Sequence, residues 1–126
     1  MTGMLRSVLH AAYDQRNVLI LAFIVINLIF NVVSNAGFKM SADSSNFRGF
    51  MFWQVVGNLA GLVTVLTLTA LLRYWPLNIA FPVTTGLMII GVQVFASKWL
   101  FGEAISPLRW FGTALIVIGV VMVSRW

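Results

Sequence analysis

Four long apolar stretches, each closed by a short polar connection, set the pattern of this chain: residues 17–38, 49–72, 75–101 and about 108–125. Each has the roughly 20 mostly apolar residues that an α-helix needs to cross the hydrocarbon of a bilayer. Between them stand Lys39 with the polar run SADSSNFR, the short link 73–76, and a turn carrying Gly102, Glu103, Ser106 and Pro107. Ser106 is placed to cap the fourth helix, with Pro107 at its first position. The predicted architecture is an all-α membrane protein whose four transmembrane helices form one transporter-like domain, 17–126. Ahead of it, residues 1–16 repeat Leu5, Val8, Leu9 and Ala12 at helical spacing, with Arg6, His10 and Gln15 on the opposite side. A short interfacial helix fits that pattern, and so does a frayed terminus.

The polar residues inside these stretches recur with helical period. In the first span Asn27, Asn31, Ser34 and Asn35 stand at i, i+4, i+7 and i+8, which is one helical face. Gln54, Gly57, Asn58, Gly61 and Val65 share a face of the second, and Asn78, Pro82, Thr85, Gly86, Ile89 and Gln93 form a stripe on the third. An unpaired polar group facing lipid costs several kcal/mol, so such stripes are expected to turn inward. Two readings stand side by side. The amides join helices through hydrogen bonds of about 0.6–2 kcal/mol each, or they line a hydrophilic path.

The path reading takes Asn27, Asn31, Ser34, Asn35, Gln54, Asn58, Pro82, Thr85 and Gln93 as substrate-contacting residues. Lys39 and Lys98, near the boundaries, hold an anionic head group before and after transit. The link 73–76 makes spans two and three an antiparallel pair whose polar stripes are expected to face each other. Gly57 and Gly61 read first as a close-packing pair. Pro82 lacks an N–H and clashes with the preceding turn, so a kink or hinge is expected there. Gly112 and Gly119, on an almost wholly apolar fourth span, suit packing against another copy.

Composition narrows the class. Hydrophobic residues make up 60% of the chain and charged ones 9%, against about a quarter charged in an ordinary soluble domain. No cysteine is present and His10 is the single histidine, so no metal centre or cofactor is expected, and no nucleophile–base pair points to an enzyme. The formal charge of +5 sits on scattered Lys and Arg, which favours lipid phosphates over nucleic acid as counter-charges. Trp110 and Trp126 flank the fourth span as an aromatic belt does. With alternating spans, Arg6, Arg16, Arg73 and Arg125 fall on one side of the membrane and Lys39, Arg48, Lys98 and Arg109 on the other. Such a balance permits both insertions and an antiparallel homodimer; a small asymmetry, such as a Lys39 held within the bilayer, would instead fix one orientation.

NIAFP at the start of the third span, and the pattern GE-x-x-SP-x-x-W-x-G made by Gly102, Glu103, Ser106, Pro107, Trp110 and Gly112, resemble the drug/metabolite transporter superfamily. The likeness is to its four-span level, which includes small multidrug resistance proteins, and to the last hairpin of EamA-type transporters and aminoarabinose-phospho-undecaprenol flippase subunits. In that family the stretch is a structural turn, which argues against Glu103 as a catalytic acid. Small multidrug resistance exporters carry a membrane glutamate about two helical turns before a lysine; counted back from Lys39, the position is Asn31. An amide does not exchange protons at physiological pH, so proton-coupled cation export loses its machinery. The flippase-like branch lacks that glutamate. The resemblance therefore implies a bacterial inner-membrane translocator of a polyprenyl-phosphate-linked sugar or similar anionic lipid, paired with itself or with a related four-span protein. A drug or small-molecule exporter without the usual carboxylate, and a non-transporting subunit that holds a partner, are the alternatives.

Overall fold

The computed structural model describes residues 2–124, with side chains for all of these except 11–13 and 124. Arg125 and Trp126, and the side chain of Ala12, lie outside the described residues. Four α-helices follow one another: α1 (Thr2–Ala42), α2 (Phe47–Leu71), α3 (Leu77–Gly91) and α4 (Pro107–Ser124). A π-helical segment, Val92–Leu100, continues α3 without a break. Three helical stretches, Thr2–Ala42, Phe47–Leu71 and Leu77–Leu100, are long and apolar enough to cross a membrane; the apolar part of the fourth, Pro107–Val123, is shorter.

No Pro or Gly interrupts the chain between Gly3 and Gly37, and α1 runs straight through Arg16 and Asn17 as a rod of 41 residues. At 1.5 Å per residue it is about 60 Å long, roughly twice the hydrocarbon thickness. Its first turns stand clear of the other helices, with Met4, Leu5, Val8 and Leu9 exposed. Contact with the bundle begins at Arg16, whose Nη2 donates to Tyr74 O at 3.1 Å and whose guanidinium lies 5.8 Å from the Tyr74 ring centre.

Caps set the other boundaries. Asn46 Oδ1 accepts from Gly49 N at 2.8 Å and so starts α2 at Phe47, ahead of the expected position. Ser106 Oγ accepts from Arg109 N at 3.3 Å, with Pro107 opening α4. Gly102 takes φ +62°, a left-handed turn that glycine adopts without a Cβ penalty.

Glycines decide how closely the helices approach. A Cβ on Gly37 would sit 3.1 Å from Gly57 Cα, and one on Gly57 would sit 2.6 Å from the Phe38 ring, so α1 and α2 meet almost backbone to backbone. Gly86 leaves room for Val120 between α3 and α4, and Gly91 for Leu28 and Val32 of α1. Among the described residues α4 packs on α3 and its π continuation and approaches neither α1 nor α2. A small cluster of Ile20, Leu71 and Ala80, backed by Ile24, Leu68, Tyr74 and Trp75, closes the end next to the 73–76 turn. Elsewhere large apolar side chains such as Phe52, Leu59, Leu66, Phe81, Phe111 and Met122 face outward. A bilayer accepts that surface, since lipid tails are as apolar as leucine.

One expectation is corrected. The polar face of α2 meets α1, not α3: the Gly37–Gly57 contact draws α2 onto α1, and the α2–α3 pair separates beyond its turn. Pro82 lies inside α3, which continues through it from Leu77 to Gly91. The departure from α geometry comes later, at Val92–Leu100. Near the start of a helix, the donor that proline lacks would have reached only into the first turn, at Asn78.

Candidate substrate cleft

A cleft of about 820 Å³ opens between α1, the far half of α3 with its π segment, and α4. Asn35 projects into it from α1, Gln93 and Ser97 from the π segment, and Arg109 and Thr113 from α4; Glu103 to Ile105 border it from the connection. Gly112 has no side chain to fill this wall, and a Cβ there would meet nothing within 4 Å. Met88, Ile89, Val92, Ile105 and Ile116 make the remainder apolar. Gln93 and Ser97 stand four residues apart, about one helical turn, and so share the side of the segment that faces the cleft.

The polar groups of the cleft are partly committed. The Thr113 hydroxyl stands 2.6 Å from Gln93 Oε1 and 3.0 Å from Arg109 O, and donates to one of them at a time. Gln93 Nε2 is left to donate elsewhere. Asn35 Nδ2 donates to Asn31 O at 2.8 Å, which leaves its Oδ1 as an acceptor. At one edge of the cleft Lys39 Nζ lies 3.9 Å from Glu103 Oε1 and 3.4 Å from Asp43 Oδ1, long separations for ion pairs and all partly exposed. Arg109, also in the lining, makes no ion pair among the described residues.

A second cavity of about 250 Å³, the inner of the two along α1 and itself open to the outside beside Val65 and Phe81, lies between α1, α2 and α3, lined by Asn27, Asn31, Thr64, Thr84, Thr85 and apolar neighbours. Asn27 is only 3% exposed. Its Nδ2 donates to Thr64 O at 2.9 Å and lies 3.0 Å from Thr67 Oγ1, while its Oδ1 accepts from Asn31 Nδ2 at 2.8 Å. Thr84 is bonded back to Ala80 O. Asn31 Oδ1 and the Thr85 hydroxyl are the polar lining groups without a protein partner among the described residues.

The continuous seam read from the sequence is therefore divided. Asn35 and Gln93 line the outer cleft; Asn27, Asn31 and Thr85 line the inner cavity. Ser34 is buried at 4% and donates to Gly57 O at 2.8 Å, a bond that ties α1 to α2. Gln54 reaches Ser41 Oγ at 3.2 Å, and Asn58 is exposed with Nδ2 2.7 Å from Gln54 O. Neither borders the two cavities, because the face of α2 that carries them meets the end of α1 or the outside. The bond to its own preceding turn, and not burial, satisfies Asn58. Pro82 lines neither cavity.

Lys39 and Lys98 lie at the same end of the bundle, so they do not bracket a path across it. Lys98 is exposed and stands 5.7 Å from the Trp110 ring centre, outside the cleft lining. From the sequence, Glu103 was placed in the turn, Arg109 was counted only among the charges on one side of the membrane, and Thr113 was not singled out. The spacing of Ser97 after Gln93 was the one available signal for the π-segment wall.

These features define a multi-pass all-α membrane protein with a charged-edged cleft opening into its helices. Over 66 residues the chain is 36% identical to a probable 4-amino-4-deoxy-L-arabinose-phosphoundecaprenol flippase subunit of Serratia proteamaculans. The match covers 52% of this chain and 55% of that relative, so the chain spans about half the length of the curated relative. No family profile matches the chain, and no solved structure does.

Proposed function

We propose that this protein is a membrane translocator of a polyprenyl-phosphate-linked sugar or a similar anionic lipid, acting as one subunit of a pair. The cleft carries the reading. Its volume of about 820 Å³ lies within the 300–1,000 Å³ usual for ligand sites, and it combines an unpaired Arg109 with free amide groups and an apolar wall. Arg109, with Lys39 beside it at the same end, takes the phosphate, since a guanidinium binds phosphate oxygens in a fork. Gln93 Nε2, Asn35 Oδ1 and Ser97 exchange hydrogen bonds with sugar hydroxyls. The polyprenyl tail stays against Ile89, Val92 and Ile116 and the surrounding lipid. No covalent step is required. The half-length similarity to a flippase subunit supports the same cargo class.

The pairing rests on α4. Among the described residues this helix meets only α3 and its π continuation, and Cβ atoms on its Gly112 and Gly119 would meet nothing within 4 Å, which leaves a smooth side of the cleft for a second four-span chain, identical or related. The test is reconstitution into vesicles holding a polyprenyl-phosphate-linked sugar, with transbilayer movement read as loss of protection from impermeant periodate. Faster movement than in protein-free vesicles, reduced by Arg109→Ala, is the expected result. Equal rates with and without protein, both alone and with a related four-span chain, would overturn the reading.

A further inference from the structure

Turned away from the Gly57 contact with α1, α2 presents an outward face. Met51, Val55, Asn58, Leu62, Val65 and Thr69 are all exposed there, and they follow one another at alternating spacings of four and three residues. That alternation is the repeat of a seam along which two helices supercoil. Thr69 is bonded to its own preceding turn, donating to Val65 O at 2.9 Å. Asn58 is only half provided for. Its Nδ2 lies 2.7 Å from Gln54 O and 3.3 Å from Gln54 Oε1, but its Oδ1 accepts from no described group. Among the described residues it is the one amide exposed in the middle of a membrane-spanning stretch.

We propose that this stripe is a seam on which the chain pairs with α2 of a second copy, pinned by Asn58. Lipid tails are as apolar as leucine, so Met51, Val55, Leu62 and Val65 gain little by leaving them, and the polar group decides. At mid-bilayer depth neither water nor lipid offers a donor to the Asn58 carbonyl. The occupant must therefore bring an N–H or O–H to that depth. The same amide in a second copy does so, because carboxamides are self-complementary: each turns the Nδ2 hydrogen of its long 3.3 Å contact towards the other's Oδ1. The depths match in a parallel or an antiparallel pair, since Asn58 lies one residue from the middle of the 25-residue α2. An asparagine at one seam position of an otherwise apolar heptad also fixes register and holds an assembly at two helices. The surface is separate from α4, which approaches neither α1 nor α2 among the described residues. It adds a second contact to the pairing proposed above and does not depend on the translocator reading.

The chain has no cysteine, so Val55→Cys and Leu62→Cys each supply a single thiol on the seam, and Leu21→Cys a single thiol on an exposed face of α1. Each full-length variant is placed in phosphatidylcholine vesicles at high lipid excess and oxidised with copper phenanthroline. Val55→Cys and Leu62→Cys are expected to form disulfide dimers, each with itself in a parallel pair or with one another in an antiparallel pair, while Leu21→Cys reports chance collision. Adding Asn58→Leu weakens the association about tenfold, as loss of an interhelical polar contact predicts, and Asn58→Gln, which keeps the carboxamide, retains most of it. The position is exposed, so neither change disturbs packing within the chain. Seam cysteines that link no faster than Leu21→Cys, or that link equally fast with Asn58→Leu, overturn the proposal whatever the vesicle assay shows for lipid movement.

Discussion

Asn31 Nδ2 donates to Asn27 Oδ1 at 2.8 Å, one turn away on the same helix, and the two amides have different work. Asn27 is consumed: both its donor and its acceptor are engaged, and it binds α1 to α2 through Thr64 and Thr67. Asn31 spends its donor on Asn27 and keeps its acceptor for the inner cavity. Asn27→Leu is therefore expected to loosen the α1–α2 pair by about 1–2 kcal/mol, within the upper range for polar contacts in membranes. Asn31→Leu, which removes one bond and leaves the buried Asn27 Oδ1 without a donor, should cost less and slow lipid movement. Unfolding in mixed micelles, followed beside the vesicle assay, separates the two; equal destabilisation by both would refute the division of labour.

The glycine contacts differ in what can yield. A Cβ on Gly37 would press on the Gly57 backbone at 3.1 Å, whereas one on Gly57 meets chiefly the ring of Phe38, which can turn. Gly37→Ala is expected to cost about 1–3 kcal/mol as overpacking, and Gly57→Ala less. Gly112→Ala and Gly119→Ala, open on the protein side, should leave the folded monomer unchanged and alter only its pairing, readable by native mass spectrometry.

Gln54 and Asn58 were candidates for the path, yet they border neither cavity. Gln54→Leu and Asn58→Leu should keep lipid movement near the unsubstituted rate, while Gln93→Leu, which removes a free donor from the cleft, should lower it severalfold. Loss of movement on changing Gln54 with the fold intact would return the α2 face to the site.

Charge at the cleft edge gives a further contrast. Arg109→Ala should weaken an anionic head group strongly, since Lys39 offers a point charge and not the guanidinium fork, and Lys98→Ala should have little effect because that ammonium sits on Trp110. Glu103→Gln removes a negative charge 3.9 Å from Lys39 and should tighten binding of an anionic lipid, with the gain falling as salt rises. Binding of a polyprenyl phosphate to each variant, measured at two ionic strengths, checks all three.

The helical character, the membrane environment and the inward set of Asn27, Asn31, Ser34 and Asn35 were legible in the chain alone. Helical period and apolar length are local properties, written into consecutive residues. The cap at Ser106 and Pro107 was legible for the same reason. Which helix faces which was not. α2 could offer its polar stripe to α1 or to α3, and the backbone approach at Gly37 and Gly57 settles it in favour of α1, a contact between residues far apart in sequence. Glu103, Arg109 and Thr113 became lining residues only because α4 folds back beside the π segment and leaves α1 across a gap. Spacing along the chain determined the faces of each helix; the division of amides between packing bonds and open cavities was decided by tertiary contact, because a side chain's partners depend on what lies opposite it.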